Sequence, residues 1–119
     1  MSQLSDEEIY QEVAKIVIQF ELYKCDKCAI AVMQWLKENG INGTIVKIQT
    51  PYGEDYIIST RLENQGITDS ITLNGIHYGV EVKRRIFDNL STEGLTQEDW
   101  LNDFQCPSGD FLIDYLDEL

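Results

Sequence analysis

The sequence predicts an α+β fold: helices lead, an antiparallel sheet follows, and a helical tail closes the chain. Three observations carry that expectation. Apolar residues recur at helical spacing as far as Leu36. Beyond Gly40 the period shifts to short β-branched runs divided by turn residues. A chain of 119 residues also suits one compact domain with a core of its own, spanning 1–119, and is too short for two.

Ser5-Asp6-Glu7-Glu8 has the form of a capping box, and Ile9, Val13, Ile16, Val17 and Phe20 then repeat on one stripe. Together they predict a helix over 6–20. After a connection through Lys27, Cys28 opens a second helix over 28–36. Gln34 is the only polar side chain in it besides the thiol, the pattern of a buried helix, and Gly40 suits its end. Strands are predicted over 44–50, 56–60 and 71–73. A hairpin of 76–82 and 85–88 follows, joined through Lys83-Arg84. Thr96 caps a short helix reaching Trp100, with Asp99 three residues on. Past Pro107-Ser108-Gly109, residues 110–119 read as an amphipathic helix with Phe111, Leu112, Tyr115 and Leu116 inward.

The formal charge of −12 opposes any role that rests on displacing counterions from a phosphate backbone. The one basic cluster, Lys83-Arg84-Arg85, falls at a hairpin tip, so no nucleic-acid partner is expected; a basic protein would suit this field better. No apolar run approaches the ~18 residues that a membrane helix needs, so no membrane partner is expected either. The N-terminal MSQLSDEEIY lacks the basic and apolar regions of a secretory signal. That fits a cytoplasmic protein, or one delivered by a specialised secretion system that needs no such signal. Three cysteines are too few and too odd in number for a disulfide scaffold, which leaves thiols free for chemistry, metal or packing.

Cys28 is the candidate nucleophile. At a helix start, unpaired N–H groups and the dipole stabilise a thiolate, and Lys24 and Lys27 add positive charge. His77, the only histidine, is the candidate base, on one strand face with Gly79 and Glu81. If Lys83-Arg84 form the turn, Gly79 faces Asp88, which puts the Asp88 carboxylate diagonally beside His77. An acid there would hold the imidazole tautomer and stabilise its cation. Asn89 should point to the other face.

Cys25-Asp26-Lys27-Cys28-Ala29 before a buried helix, Gly40-Ile41-Asn42-Gly43, Gly75-Ile76-His77-Tyr78-Gly79-Val80, and Phe87-Asp88-Asn89-Leu90 followed by Gly94 and Trp100 resemble, in that order, the papain-fold toxin 2 family. The resemblance runs from about Phe20 to Phe104. It implies a minimal papain-like fold, with a buried central helix packed on a small antiparallel sheet. It also implies a cysteine hydrolase of peptidase or deamidase type, serving as a bacterial toxin domain paired with an immunity protein. No cofactor is implied. In papain-like enzymes the second cysteine of C-x-x-C is the nucleophile, which assigns Cys28 and not Cys25. Those enzymes also keep an oxyanion-hole glutamine six residues before the nucleophile; that position is Leu22 here, with Gln19 nearest. The Cys28 backbone N–H is then the remaining candidate donor.

Two other readings compete. Cys25 and Cys28 have the spacing of zinc ligands, and His77 with Cys106 would complete a Cys₃His set. A non-catalytic interaction domain would use the acidic surface on a basic partner. A thioredoxin-like redox role fits poorly, because the C-x-x-C does not follow a strand in a βαβ pattern. Cys106 reads as a structural thiol, and Trp35 and Trp100 as core residues.

Overall fold

The structure is a computed structural model and describes residues 3–119. Among the described residues the elements run α1 (Asp6–Val17), α2 (Cys25–Glu38), β1 (Thr44–Gln49), β2 (Ile58–Ser59), α3 (Thr60–Glu63), β3 (Ile76–Val82), β4 (Arg85–Asp88), β5 (Ser91–Leu95), α4 (Gln97–Asn102), β6 (Phe104–Gln105) and β7 (Leu112–Leu116). This is the expected α+β composition. None of these helices is long and apolar enough to cross a membrane.

α1 starts as expected. Ser5 Oγ accepts from Glu8 N at 3.1 Å and Glu8 Oε1 accepts from Ser5 N at 3.0 Å, closing the capping box. It ends three residues before Phe20, where Gln19 N and Phe20 N turn back to the carbonyls of Ile16 and Val17. The second helix departs more from expectation, opening at Cys25 rather than Cys28. Tyr23 adopts a left-handed backbone (φ 72°), and Lys24 N bonds Glu21 O, so the chain has already turned when Cys25 is reached. α2 is also one-sided. Cys25, Cys28, Ala29, Val32 and Leu36 form its buried stripe, whereas Ile30 is half exposed.

The main sheet is antiparallel in the order β5-β4-β3-β1-β7. Both of its faces are covered. Ile45, Val80, Val82 and Phe87 pack against α1 and α2. Val46, Ile48 and Ile86 pack on the other side with Ile57, Leu62, Ile71, Trp100 and Phe104. The predicted hairpin is present, with Val82 opposite Arg85 and Val80 opposite Phe87. Its turn residues Lys83 and Arg84 both take positive φ (48° and 71°), the conformation that matches the strands' twist.

Three expectations fail at the periphery. The 56–60 strand shrinks to Ile58–Ser59 and pairs with β6, outside the main sheet. The 71–73 strand is replaced by a loop that Thr72 organises, its hydroxyl bonded to Asn74 and Ile76. The tail is a strand and not a helix: β7 runs along the outer edge of β1, with Ile45 opposite Leu116 and Gln49 opposite Leu112. A helix would have left the β1 edge unpaired, and a ladder satisfies those backbone groups. β5, which was not expected, extends the hairpin beyond Asp88.

Gly79 is required by close packing. A Cβ there would stand 2.7 Å from Ile86 Cγ2 and 2.8 Å from Trp100 Cζ2. Gly79→Ala should therefore destabilise the fold by about 1–3 kcal/mol in a denaturant titration. An unchanged midpoint would mean that Trp100 yields freely.

Candidate active site

β3 and β4 carry two candidate catalytic side chains to the same end of the sheet. His77 is one residue into β3 and Asp88 ends β4, as the predicted register requires. His77 Nε2 lies 3.0 Å from Asp88 Oδ2, and both side chains are fully buried. Trp100 donates Nε1–H to the same oxygen at 2.9 Å, and its ring lies nearly parallel to the imidazole, 23° off and 5.9 Å away. Phe104 closes the far side, 5.1 Å from His77 and edge-on to Trp100. The imidazole is held in an aromatic slot with one nitrogen on a carboxylate.

Arg61 completes the surroundings of Asp88. Its guanidinium grips both carboxylate oxygens at 3.0 and 2.8 Å, while Nε reaches Asp103 Oδ2 at 2.8 Å. Asp103 is fixed by Ser59 Oγ at 2.5 Å and Arg61 N at 2.9 Å. Ser91 Oγ takes a further Arg61 hydrogen at 2.8 Å. Burial alone would raise the pKa of Asp88. The His77 hydrogen bond and the Arg61 and His77 charges override it and hold the carboxyl well below its usual range.

Cys25 is the thiol that contributes to the raised pKa of His77. His77 Nδ1 is buried and has no hydrogen-bond partner among the described residues. Burial pushes the His77 pKa down, but hydrogen bonding to Asp88 and Cys25, with their charges, carries it up to about 9. Cys25 is the first residue of α2, 8% exposed, and lines a cleft of about 270 Å³ with Tyr23, Asp26, Asn74, Ile76 and Tyr78. Asn89 anchors this arrangement by donating Nδ2–H to Glu21 O at 2.9 Å, just before α2.

Cys28 sits elsewhere. It is 2% exposed, among Val13, Val17, Val32 and Phe87 in the core under the helices. Burial first, then the negative charges of Asp88 and Cys25, push its pKa up to about 12. Its backbone N–H is committed to Lys24 O at 2.9 Å and is not free for an oxyanion. The helix begins three residues earlier than the sequence predicts, so Cys25 takes the helix-start position expected of Cys28. Counted from Cys25, the sixth residue back is Gln19, whose amide donates to Lys15 O at 3.0 Å. Arg61 and Asp103 had no signal at the level of sequence pattern, and Trp100 was read only as a core residue; the fold gathers all three.

The described residues contain no group of three or more His, Cys, Asp or Glu side chains placed to hold a metal ion. The Cys₃His set is not assembled, and Cys106 Sγ instead lies near Ser108 Oγ and Asp110 O. A larger cleft of about 560 Å³ at the other end of α2, beside Met33, Gly43 and Leu119, contains none of the candidate catalytic groups.

A family model described as papain fold toxin 2 matches residues 8–105 of the chain. No curated protein and no solved structure matches it.

Arg61→Met should cost about 3–5 kcal/mol in denaturant unfolding, because Asp88 and Asp103 keep buried charge without a cation. Folding raises the pKa of His77, so its contribution to stability is complete below 6.5 and is lost as pH climbs toward about 9. The thermal midpoint should fall across that window and lose the dependence in His77→Gln. Asp88 acts with the opposite sign: its contribution is lost as pH drops below the ordinary value of 3.8.

Proposed function

Because the chain belongs to the papain fold toxin 2 family, we propose that it is the catalytic domain of a toxin, a cysteine hydrolase of peptidase or deamidase type acting on a protein. One observation carries this reading. A buried imidazole is bonded through Nε2 to a carboxylate, with a cleft-lining thiol at a helix N-terminus on its other side. Cys25 is the nucleophile in this scheme, His77 the acid–base and Asp88 its orienting partner. An immunity protein is the partner the family leads us to expect.

An imidazolium with its pKa near 9 is charged at neutral pH, and the reacting form of Cys25 in this scheme is the thiolate. The thiolate adds to the substrate carbonyl. Cys25 N–H lies in the first turn of α2, where helix geometry supplies no intrahelical acceptor, and it can bond the developing oxyanion. His77 then gives its proton to the departing nitrogen, leaving a thioester on Cys25. Water, deprotonated by the neutral imidazole, adds to the thioester; the released acid restores the thiolate–imidazolium pair. Asp88, held by Arg61 and Trp100, keeps the ring in one tautomer throughout.

The test is iodoacetamide labelling of each cysteine from pH 5 to 9, read by peptide mass spectrometry, in native protein and in His77→Ala. Cys25 should label fastest near pH 6 and slow by about ten-fold or more in the variant, while Cys28 stays slow in both. Cys25 labelling with a midpoint near ~8.5, the value of a free thiol, sinks the reading. Turnover of any substrate found should fall on the alkaline side as the imidazolium is lost near pH 9.

A further inference from the structure

The reaction above uses Cys25 and leaves Cys28 without a task. These two thiols occupy the first and fourth positions of α2, on its buried stripe. Residues three apart on a helix are surface neighbours, with Cβ atoms about 5–6 Å apart. A disulfide needs about 3.5–4.5 Å, a modest tightening for a first turn whose leading N–H groups have no helical acceptors. They also differ in access. Cys25 opens on the cleft, whereas Cys28 is sealed under α1 and the sheet. A cleft-lining thiol at a helix start, 8% exposed, with a more deeply shielded thiol one turn later, 2% exposed, is the arrangement of an attacking and a resolving cysteine.

We propose that Cys28 is the resolving thiol of a reversible redox switch on the catalytic site, closing a Cys25–Cys28 disulfide when Cys25 is oxidised by a peroxide. The proposal takes the identity of the reactive thiol from the reading above. In the first step the Cys25 thiolate attacks the O–O bond of hydrogen peroxide; sulfur gains one oxygen as a sulfenic acid, and hydroxide leaves. In the second step Cys28 gives up its proton and its sulfur attacks the sulfenic sulfur. The S–S bond forms, the S–O bond breaks, and the expelled hydroxide leaves as water with that proton. Overall two thiols lose two electrons, and hydrogen peroxide is reduced to two waters. Because Cys28 meets little solvent, oxidation begins at Cys25 and is then trapped before sulfinic acid forms. The disulfide removes the nucleophile, and a dithiol returns it.

The third cysteine stays out of this exchange, since Cys106 sits beyond α4 against Ser108 and Asp110. Burial raises the pKa of Cys28, which keeps it a thiol and slow to meet peroxide first.

The experiment treats the Cys106→Ser protein with a slight excess of hydrogen peroxide, quenches with an alkylating agent, and compares intact mass with a non-reducing tryptic map. Trypsin cuts after Lys24 and Lys27, so a Cys25–Cys28 bond links two peptides that are otherwise separate. The expected result is a loss of about 2 Da, the linked pair, no free Cys25, and full recovery of Cys25 labelling after dithiothreitol. In Cys28→Ser the same treatment should leave a sulfinic acid at Cys25 that dithiothreitol does not reverse. The proposal is overturned if the linked pair is absent while Cys25 gains oxygen, if both thiols stay reduced, or if Cys28→Ser recovers as the parent does. Labelling of the untreated protein separates this from the catalytic reading. A disulfide in a protein whose Cys25 labels slowly keeps the switch and removes the catalytic assignment; fast labelling without a disulfide does the reverse.

Discussion

The Asp88 carboxylate is the group on which the rest of this structure depends. It is buried, and it accepts five hydrogen bonds: two from Arg61, and one each from His77, Trp100 and Leu90 N. A carboxylate out of water costs several kcal/mol unless nearly all of its lone pairs are used, so the strand end, α3, α4 and β3 must meet at this one point. The four residues that supply these donors, Arg61, His77, Leu90 and Trp100, are apart in sequence and are brought together by the fold.

That requirement organises both sides of the sheet. Arg61 comes from α3, and Asp103, its second anion, lies just past α4; their mutual bonds tie the outer layer of β2, α3, α4 and β6 to β4. Trp100 is seated in the space that Gly79 leaves empty. On the opposite side the stripes of α1 and α2 are buried against Val80, Val82 and Phe87 by the ordinary hydrophobic effect. Hydrophobic burial positions α2 coarsely, and the polar junction then decides what its first turn meets.

The two thiols of α2 show how finely that matters. Moving the start of α2 by three residues exchanges a core thiol for a cleft thiol, because positions three apart share one helix face but differ in depth. The C-x-x-C thus presents two thiols with different surroundings: Cys25 on the cleft, where it helps to raise the His77 pKa, and Cys28 among apolar core side chains. Membership of the papain fold toxin 2 family is consistent with the imidazole and carboxylate on adjacent strands.

What the sequence by itself determined is local and periodic. Ser5-to-Glu8 capping, the α1 stripe, the Lys83-Arg84 turn and the Gly79-to-Asp88 register follow from hydrogen bonds and side-chain alternation within about ten residues. The pairing of His77 with Asp88 could therefore be read from the chain, since a two-residue turn fixes every partner above it. Only the tertiary structure decided the rest. The α2 start depends on a left-handed Tyr23, a residue type that seldom adopts it, and on Asn89 reaching back to Glu21. The tail became β7 because the open edge of β1 was there to pair with it, although its apolar spacing suits a helix equally well. Arg61, Asp103 and Trp100 join the site across 27, 15 and 12 residues from Asp88, as their numbers show. A buried charge recruits partners by proximity and desolvation, and neither is written in the spacing of a sequence.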